Sequence, residues 1–316
     1  MVDAQRCRCL VTGVPPGPRR RPRALIAVTT SLFIAVIMLI AGCAADPAAS
    51  TALAWTDPAA SAAPSPAASV SPAASVANPG ASSFPGAAAW KLAFSANFPG
   101  TTLDTATWDE CYPWSPVSWG CNNFGNANEV EWYQSSQVRV GGGLLALTAK
   151  HTPTEGTDAN GNPKEYACRS GMVTTYPSFN FTYGKVQVVA HLPFGTGLWP
   201  AIWLVPEDGT WPPEIDIIEH WGTQSTARAT LHTNSGAQIR GTIPFPQADQ
   251  GWHTYTLYWT SSRISVYFDN NLALNITKNI PAKAMYLLLD LADDSNAAGS
   301  CTGTMLVKSA KIWKAS

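Results

Sequence analysis

Glu214-Ile215-Asp216-Ile217-Ile218-Glu219 places three carboxylates within six residues, spaced only by isoleucine. Paired carboxylates suit one kind of chemistry. One stays ionised as nucleophile or base, while a neighbour keeps its proton and acts as an acid. Isoleucine favours a pleated, half-buried strand. On a strand alternate side chains share a face, so Glu214 and Asp216 point one way and Ile215 and Ile217 the other. Glu219 lies an odd number of positions from Glu214, which would bury it among the isoleucines at a high desolvation cost. One inserted residue, a β-bulge near Ile217-Ile218, returns it to the face of its partners. The outer Cα atoms then stand roughly 13 Å apart at about 3.3 Å per residue. Leaning side chains can close the two glutamates to roughly 5–5.5 Å, where one carboxylate attacks the centre its partner activates.

Two plainer uses compete. Charges on a strand edge can simply blunt aggregation, and carboxylates can ligate calcium. Calcium loops are glycine-rich, whereas this run is apolar. The flanks favour catalysis: Gly197-Leu198-Trp199-Pro200-Ala201-Ile202-Trp203-Leu204-Val205-Pro206 precedes it and His220-Trp221-Gly222 follows. Aromatic faces beside paired acids suit the apolar faces of sugar rings.

With these residues in view, the chain resembles glycoside hydrolase family 16, in the bulged Glu-x-Asp-x-x-Glu branch that includes laminarinases. Asn128-Glu129-Val130-Glu131-Trp132-Tyr133, Ser170-Gly171-Met172-Val173-Thr174-Thr175 and Tyr183-Gly184-Lys185-Val186-Gln187-Val188 are similar to further family segments. So are Thr230-Leu231-His232 and Trp252-His253-Thr254-Tyr255. The resemblance implies an all-β jelly roll of two antiparallel sheets with a concave catalytic cleft. It implies a retaining endo-hydrolase of β-1,3- or β-1,3/1,4-glucans needing no metal or cofactor. Glu214 matches the nucleophile, Asp216 its helper and Glu219 the acid/base. Substrate contacts are expected at Trp199, Trp203, His232, Asn128 and Glu129, with Trp132 and Trp221 as weaker candidates. Glycosyl transfer in envelope remodelling, or a non-catalytic carbohydrate-binding module, are the competing functions; the complete acid triplet argues against the module. Met172 stands where many laminarinases carry a cleft arginine, and Arg169 is the nearby residue able to replace it. Lys308 stands where relatives place a calcium aspartate, so no calcium is expected there.

The rest of the chain must deliver and support that strand. Residues 90–316 carry 14 Lys and Arg against 18 Asp and Glu, a net of −4, while six arginines precede residue 24. The domain therefore has no basic footprint for nucleic acid, and a monomer acting on a polysaccharide is expected. Twelve of the 13 tryptophans lie from Trp90 onward, more than a core requires. Arg19-Arg20-Arg21-Pro22-Arg23, then the apolar run 24–40, then Ile40-Ala41-Gly42-Cys43 read as an export signal. The Ile-Ala-Gly-Cys ending resembles a lipoprotein box, so residues 1–43 are expected to be a signal that ends in lipidation at Cys43. An ordinary cleaved signal or an uncleaved anchor helix are the alternatives, and each implies an extracytoplasmic, membrane-held or secreted protein. Residues 44–89, of Ala, Ser and Pro with only Asp46 and Asp57 charged, cannot bury a core and read as a tether. Cys111, Cys121, Cys168 and Cys301 remain for disulfides, with three pairings open.

From Trp90 short alternating runs recur between turn residues, which argues for a β-sandwich. Strands are expected at 144–149, 171–176, 183–192, 200–205, 214–219, 228–233, 253–259, 263–268, 285–291 and 304–313. Asp269-Asn270-Asn271 is expected to turn a hairpin.

Overall fold

The structure is a computed structural model that describes residues 90–115, 120–124, 126–246, 251–297 and 301–315. The expected signal segment, Cys43 and the Ala/Ser/Pro tether lie outside these residues.

In chain order the strands are β1 (Trp90–Ala96), β2 (Glu131–Tyr133), β3 (Val138–Gly141), β4 (Leu144–Thr157), β5 (Pro163–Ser170), β6 (Met172–Thr174), β7 (Gly184–His191) and β8 (Leu198–Pro206). They continue as β9 (Glu214–His220), β10 (Thr226–His232), β11 (Gln238–Pro244), β12 (His253–Trp259), β13 (Ile264–Phe268), β14 (Asn271–Ile276), β15 (Met285–Asp293) and β16 (Gly303–Ala315). Among the described residues there is no α-helix. The strands form a ten-stranded sheet, β14-β13-β12-β7-β16-β4-β5-β2 with β1 on β16 and β3 on β4, and a six-stranded sheet, β11-β10-β9-β8-β15-β6. Neighbours pair antiparallel throughout except β2 with β5. The fold is thus an all-β jelly-roll sandwich.

Alternation builds the ten-stranded sheet. Along β7, Val186, Val188 and Ala190 are fully buried while Lys185, Gln187, Val189 and His191 face outward. They meet Ile202, Leu204, Ile215, Leu287 and Leu289 of the other sheet in one core. β15 does not alternate: all nine of its residues are buried. Its second face lies under a smaller apolar cluster of Tyr112, Cys121, Tyr133, Met172, Ala201, Trp203, Val205, Tyr286 and Leu288. The segment before β2 therefore roofs part of the six-stranded sheet and leaves the remainder as a cleft.

All ten expected strands coincide with observed ones, β12 to the residue. Asp269 and Asn270 both take positive φ, 46° and 69°, as a two-residue type I′ hairpin demands. That hairpin joins β13 to β14, a strand that the alternation does not reveal. Both cysteine pairs are bridged, Cys111 to Cys121 and Cys168 to Cys301. Lys308 lines a shallow pocket on the ten-stranded sheet with Asn97 and Gly143.

Candidate active site

β9 runs between β8 and β10, and its register slips once on each side. Asp216 pairs with Thr230 and Glu219 with Arg228, so Ile217 and Ile218 together oppose Ala229. On the other side Asp216 pairs with Trp203 and Ile218 with Ile202, leaving Ile217 as the extra residue. This is the bulge that the acid spacing requires. It lets Ile215, Ile217 and Ile218 all enter the core at 0% exposure. Glu214, Asp216 and Glu219 line a cleft of about 800 Å³ on the opposite face.

Each acid has distinct surroundings. Glu214 Oε2 accepts from Trp211 Nε1 at 2.6 Å, and its Oε1 lies 3.5 Å from His232 Nε2. Asp216, 1% exposed, has Oδ2 3.2 Å from the same nitrogen. Burial holds the Asp216 carboxyl well above the usual range, and the charges of Glu214 and Glu219 add to the effect. Asp216 therefore carries a proton that it can share with either glutamate. Glu219 Oε1 accepts from Trp199 Nε1 at 3.2 Å. Burial, then the charge of Glu214, raises the Glu219 pKa to about 8, against the lowering effect of the Trp199 bond. An acid poised there holds its proton at neutral pH and can still release it.

The expected contacts Trp199, Trp203, Asn128, Glu129 and His232 all line this cleft. Trp203 is only 8% exposed, and its indole donates to Asp290 Oδ1 at 2.6 Å. Asp290 Oδ2 accepts from Tyr133 at 3.3 Å. Tyr112, beside Tyr133, donates to Glu129 Oε2 at 3.2 Å. Glu129 Oε1 is held by Asn123 and Asn126 at 2.7 and 3.0 Å. Burial raises the Glu129 pKa to about 7 despite these bonds. Glu129 and Trp203 thus belong to one buried network, while Asn128 is exposed at its edge.

Trp221 lines the cleft, 5.4 Å from the Trp199 ring, with Arg228 stacked 5.0 Å over it. Trp132 does not: it is 7% exposed and packs on Tyr166 at 5.0 Å. Gly120 leaves room for that ring, since a Cβ there would fall 2.2 Å from it. Arg169 is also absent from the cleft lining. Met172 is fully buried in the roof cluster.

Sequence reasoning missed Trp114, Trp211, Arg228, Gln238, Arg240, Tyr286 and Asp290, all of which line the cleft. Trp211 carried a usable signal, since Trp-Pro-Pro runs directly into Glu214. Asp290 carried none, being one acid in an apolar run whose partners lie far away in the chain.

A family model, Glycosyl hydrolases family 16, matches residues 124–305. The endo-1,3-1,4-beta-glycanase EglC of Rhizobium meliloti is 36% identical over 228 residues, covering 67% of this chain and 48% of that protein. A beta-glucanase of Rhodothermus marinus is 34% identical over 200 residues, covering 58% and 64%. Among solved structures, the laminarinase from Rhodothermus marinus superposes with a TM-score of 0.59 at 26% identity, covering 72% of this chain and 98% of its own. LamAcat from Zobellia galactanivorans gives 0.59 at 27%, covering 72% and 100%. The chain spans about half the length of the two Rhizobium meliloti glycanases that it matches. With the family match extending over more than half of its residues, the chain belongs to glycosyl hydrolases family 16.

Proposed function

We propose that the protein is a retaining, endo-acting hydrolase of β-1,3- or mixed β-1,3/1,4-glucans. The observation that carries this reading is the bulge at Ile217, which brings three carboxylates onto one face of β9 inside an aromatic-walled cleft. Glu214 attacks the anomeric carbon of a sugar seated between the tryptophans. Glu219 gives its proton to the departing glycosidic oxygen. Asp216, itself protonated, hydrogen-bonds the nucleophile and keeps two neighbouring negative charges from building up. Once the glycosyl-enzyme forms, Glu219 is a carboxylate and takes a proton from the attacking water. Two inversions at one carbon give net retention. The glucan substrate is supported by the activities that the names of the curated relatives carry.

The test is a product analysis on laminarin, lichenan, xyloglucan and agarose, with the anomer followed by NMR. Short oligosaccharides of retained configuration from laminarin or lichenan are expected. Inverted products would sink the mechanism, and cleavage of agarose or xyloglucan alone would sink the substrate.

The address is part of the same reading. Ile40-Ala41-Gly42-Cys43 supports lipid attachment at Cys43, with residues 44–89 spacing a monomeric enzyme from the membrane. Several acyl chains on one cysteine anchor firmly where one binds marginally. Cys43→Ala is expected to move the protein out of the membrane fraction without changing its specific activity. A Cys43→Ala protein still held in the membrane points instead to an uncleaved helix over 24–40.

A further inference from the structure

Charge divides this domain by face. Strands β1, β7, β12, β13, β14 and β16 lie together in the ten-stranded sheet. They contain five lysines, Lys91, Lys185, Lys308, Lys311 and Lys314, and no aspartate or glutamate. Residues 90–316 are nonetheless acidic, at −4, and six of their carboxyl groups line the cleft. The side opposite the cleft is left basic.

Along β7 Lys185 faces outward between Trp313 and Tyr258. Its ammonium stands 4.7 Å and 5.6 Å over their rings. Lys311 is in register with the next outward residue, Gln187. With Lys308 it lines a shallow pocket of about 360 Å³. Among the described residues none of the five lysines forms an ion pair; the lysine that does is Lys283, with Asp208 next to the cleft-lining Gly209.

Exposed apolar groups rim the same face. Leu92, 49% exposed, is in register with Trp313, and Leu272, 55% exposed, with Tyr267. Trp252, 42% exposed, lies 6.2 Å from the ring of the outward His191. A neutral sugar chain would cover such rings but bring no counter-charge to the ammoniums. An anionic bilayer answers both features. Its phosphates attract lysines, and tryptophan and leucine settle at headgroup level. Lysine stems lie along apolar surface while their heads reach the charge.

We propose that the outer face of the ten-stranded sheet is a docking surface for an anionic lipid membrane, with Lys185, Lys308 and Lys311 set among Leu92, Trp252 and Leu272. The inference rests on the reading that the protein is held at a membrane through Cys43. The chain enters β1 at Trp90, whose ring lies 6.1 Å from that of Tyr258 on this face, so the tether joins the domain on the side that docks. The cleft belongs to the other sheet, and a domain held this way turns it away from the lipid.

The test places the full chain on vesicles of phosphatidylcholine, with or without phosphatidylglycerol. An uncharged amine reagent labels the lysines, and mass spectrometry reads each rate. Lys308 and Lys311 are expected to label severalfold more slowly when phosphatidylglycerol is present. The protection should vanish at about 1 M salt, where charges more than about 3 Å apart are screened. Lys283 should label alike on both vesicles. In Lys308→Gln the protection of Lys311 should fall about fivefold, the share of one lysine near an anionic surface. Equal rates on the two vesicles overturn the proposal, as does equal slowing of Lys283. Protection by laminarin or by inorganic phosphate without vesicles overturns it in favour of a sugar or free-anion site. Flotation with pure phosphatidylcholine reads the anchor separately, and the phosphatidylglycerol arm reads the face whether or not that anchor is present.

Discussion

The two ends of β9 carry the same residue in unlike settings. Glu214 and Glu219 each accept one tryptophan N–H. At the first end that tryptophan is Trp211, 62% exposed, with an imidazole beside the carboxylate. At the second end the donor is Trp199, whose ring lies 5.4 Å from that of Trp221, and desolvation dominates at Glu219. The strand delivers one glutamate to a hydrogen-bonding rim and the other to a setting where burial raises its pKa to about 8. Roles in such a pair are set by surroundings rather than by residue type.

The largest expected effect comes from removing either acid. Glu214→Ala and Glu219→Ala should each lower kcat by about a thousandfold or more on natural glucans while melting near the wild-type temperature. Azide separates the two ends. It should restore Glu214→Ala with a product of inverted configuration, since the small anion fills the nucleophile's space. Near-normal turnover in Glu214→Ala would break the comparison outright.

A subtler pair sharpens it. Glu219 works as an acid only while protonated, so activity should fall as pH rises through about 8. Trp199→Phe removes a bond that lowers this pKa, and the alkaline limb should move to higher pH. Trp211→Phe removes the donor to Glu214 and should cost kcat about tenfold, as loss of one hydrogen bond to a charged group would, with the alkaline limb in place. If both variants move the limb equally, the two ends are not separate environments.

The smallest effects on activity should come from the disulfides, which also differ by region. Cys168–Cys301 closes a separation of 133 residues and Cys111–Cys121 one of 10. The longer loop should contribute more stability, with each bridge worth about 2–4 kcal/mol. Cys111→Ser with Cys121→Ser should instead raise KM, because the segment between them carries Trp114 into the cleft wall. Denaturant midpoints and steady-state kinetics on the two double variants check both halves.

How much of this was legible depended on how many faces of a strand are buried. β7 buries one, so Lys185, Gln187 and His191 mark the other and the strand reads off directly. β9 was legible because a carboxylate cannot sit among core isoleucines, which forced the bulge. β15 buries both faces, so Met-Tyr-Leu-Leu-Leu-Asp-Leu-Ala-Asp gives its extent but not which side meets the cleft. β11 alternates inward and outward along its whole length, but Gly241 and Pro244 blunt the pattern in its sequence, and β14 begins with two exposed residues before its alternation sets in. The network around Asp290 was invisible for another reason. Tyr133 and Trp203 reach it across separations of 157 and 87 residues, and no local pattern encodes such a meeting. The fate of Met172 was hidden in the same way, since only the folded roof shows that it is core.

The slip at Ile217 makes β9 behave like a vernier. Residues before and after it follow two rulers offset by one division, and the catalytic spacing is the distance at which both scales mark the same face. A single inserted or deleted residue between Asp216 and Glu219 would shift one scale against the other and send Glu219 inward. Substitutions that keep the count leave the alignment intact. The length of this short interval, more than the identity of what fills it, is what the strand transmits to its chemistry.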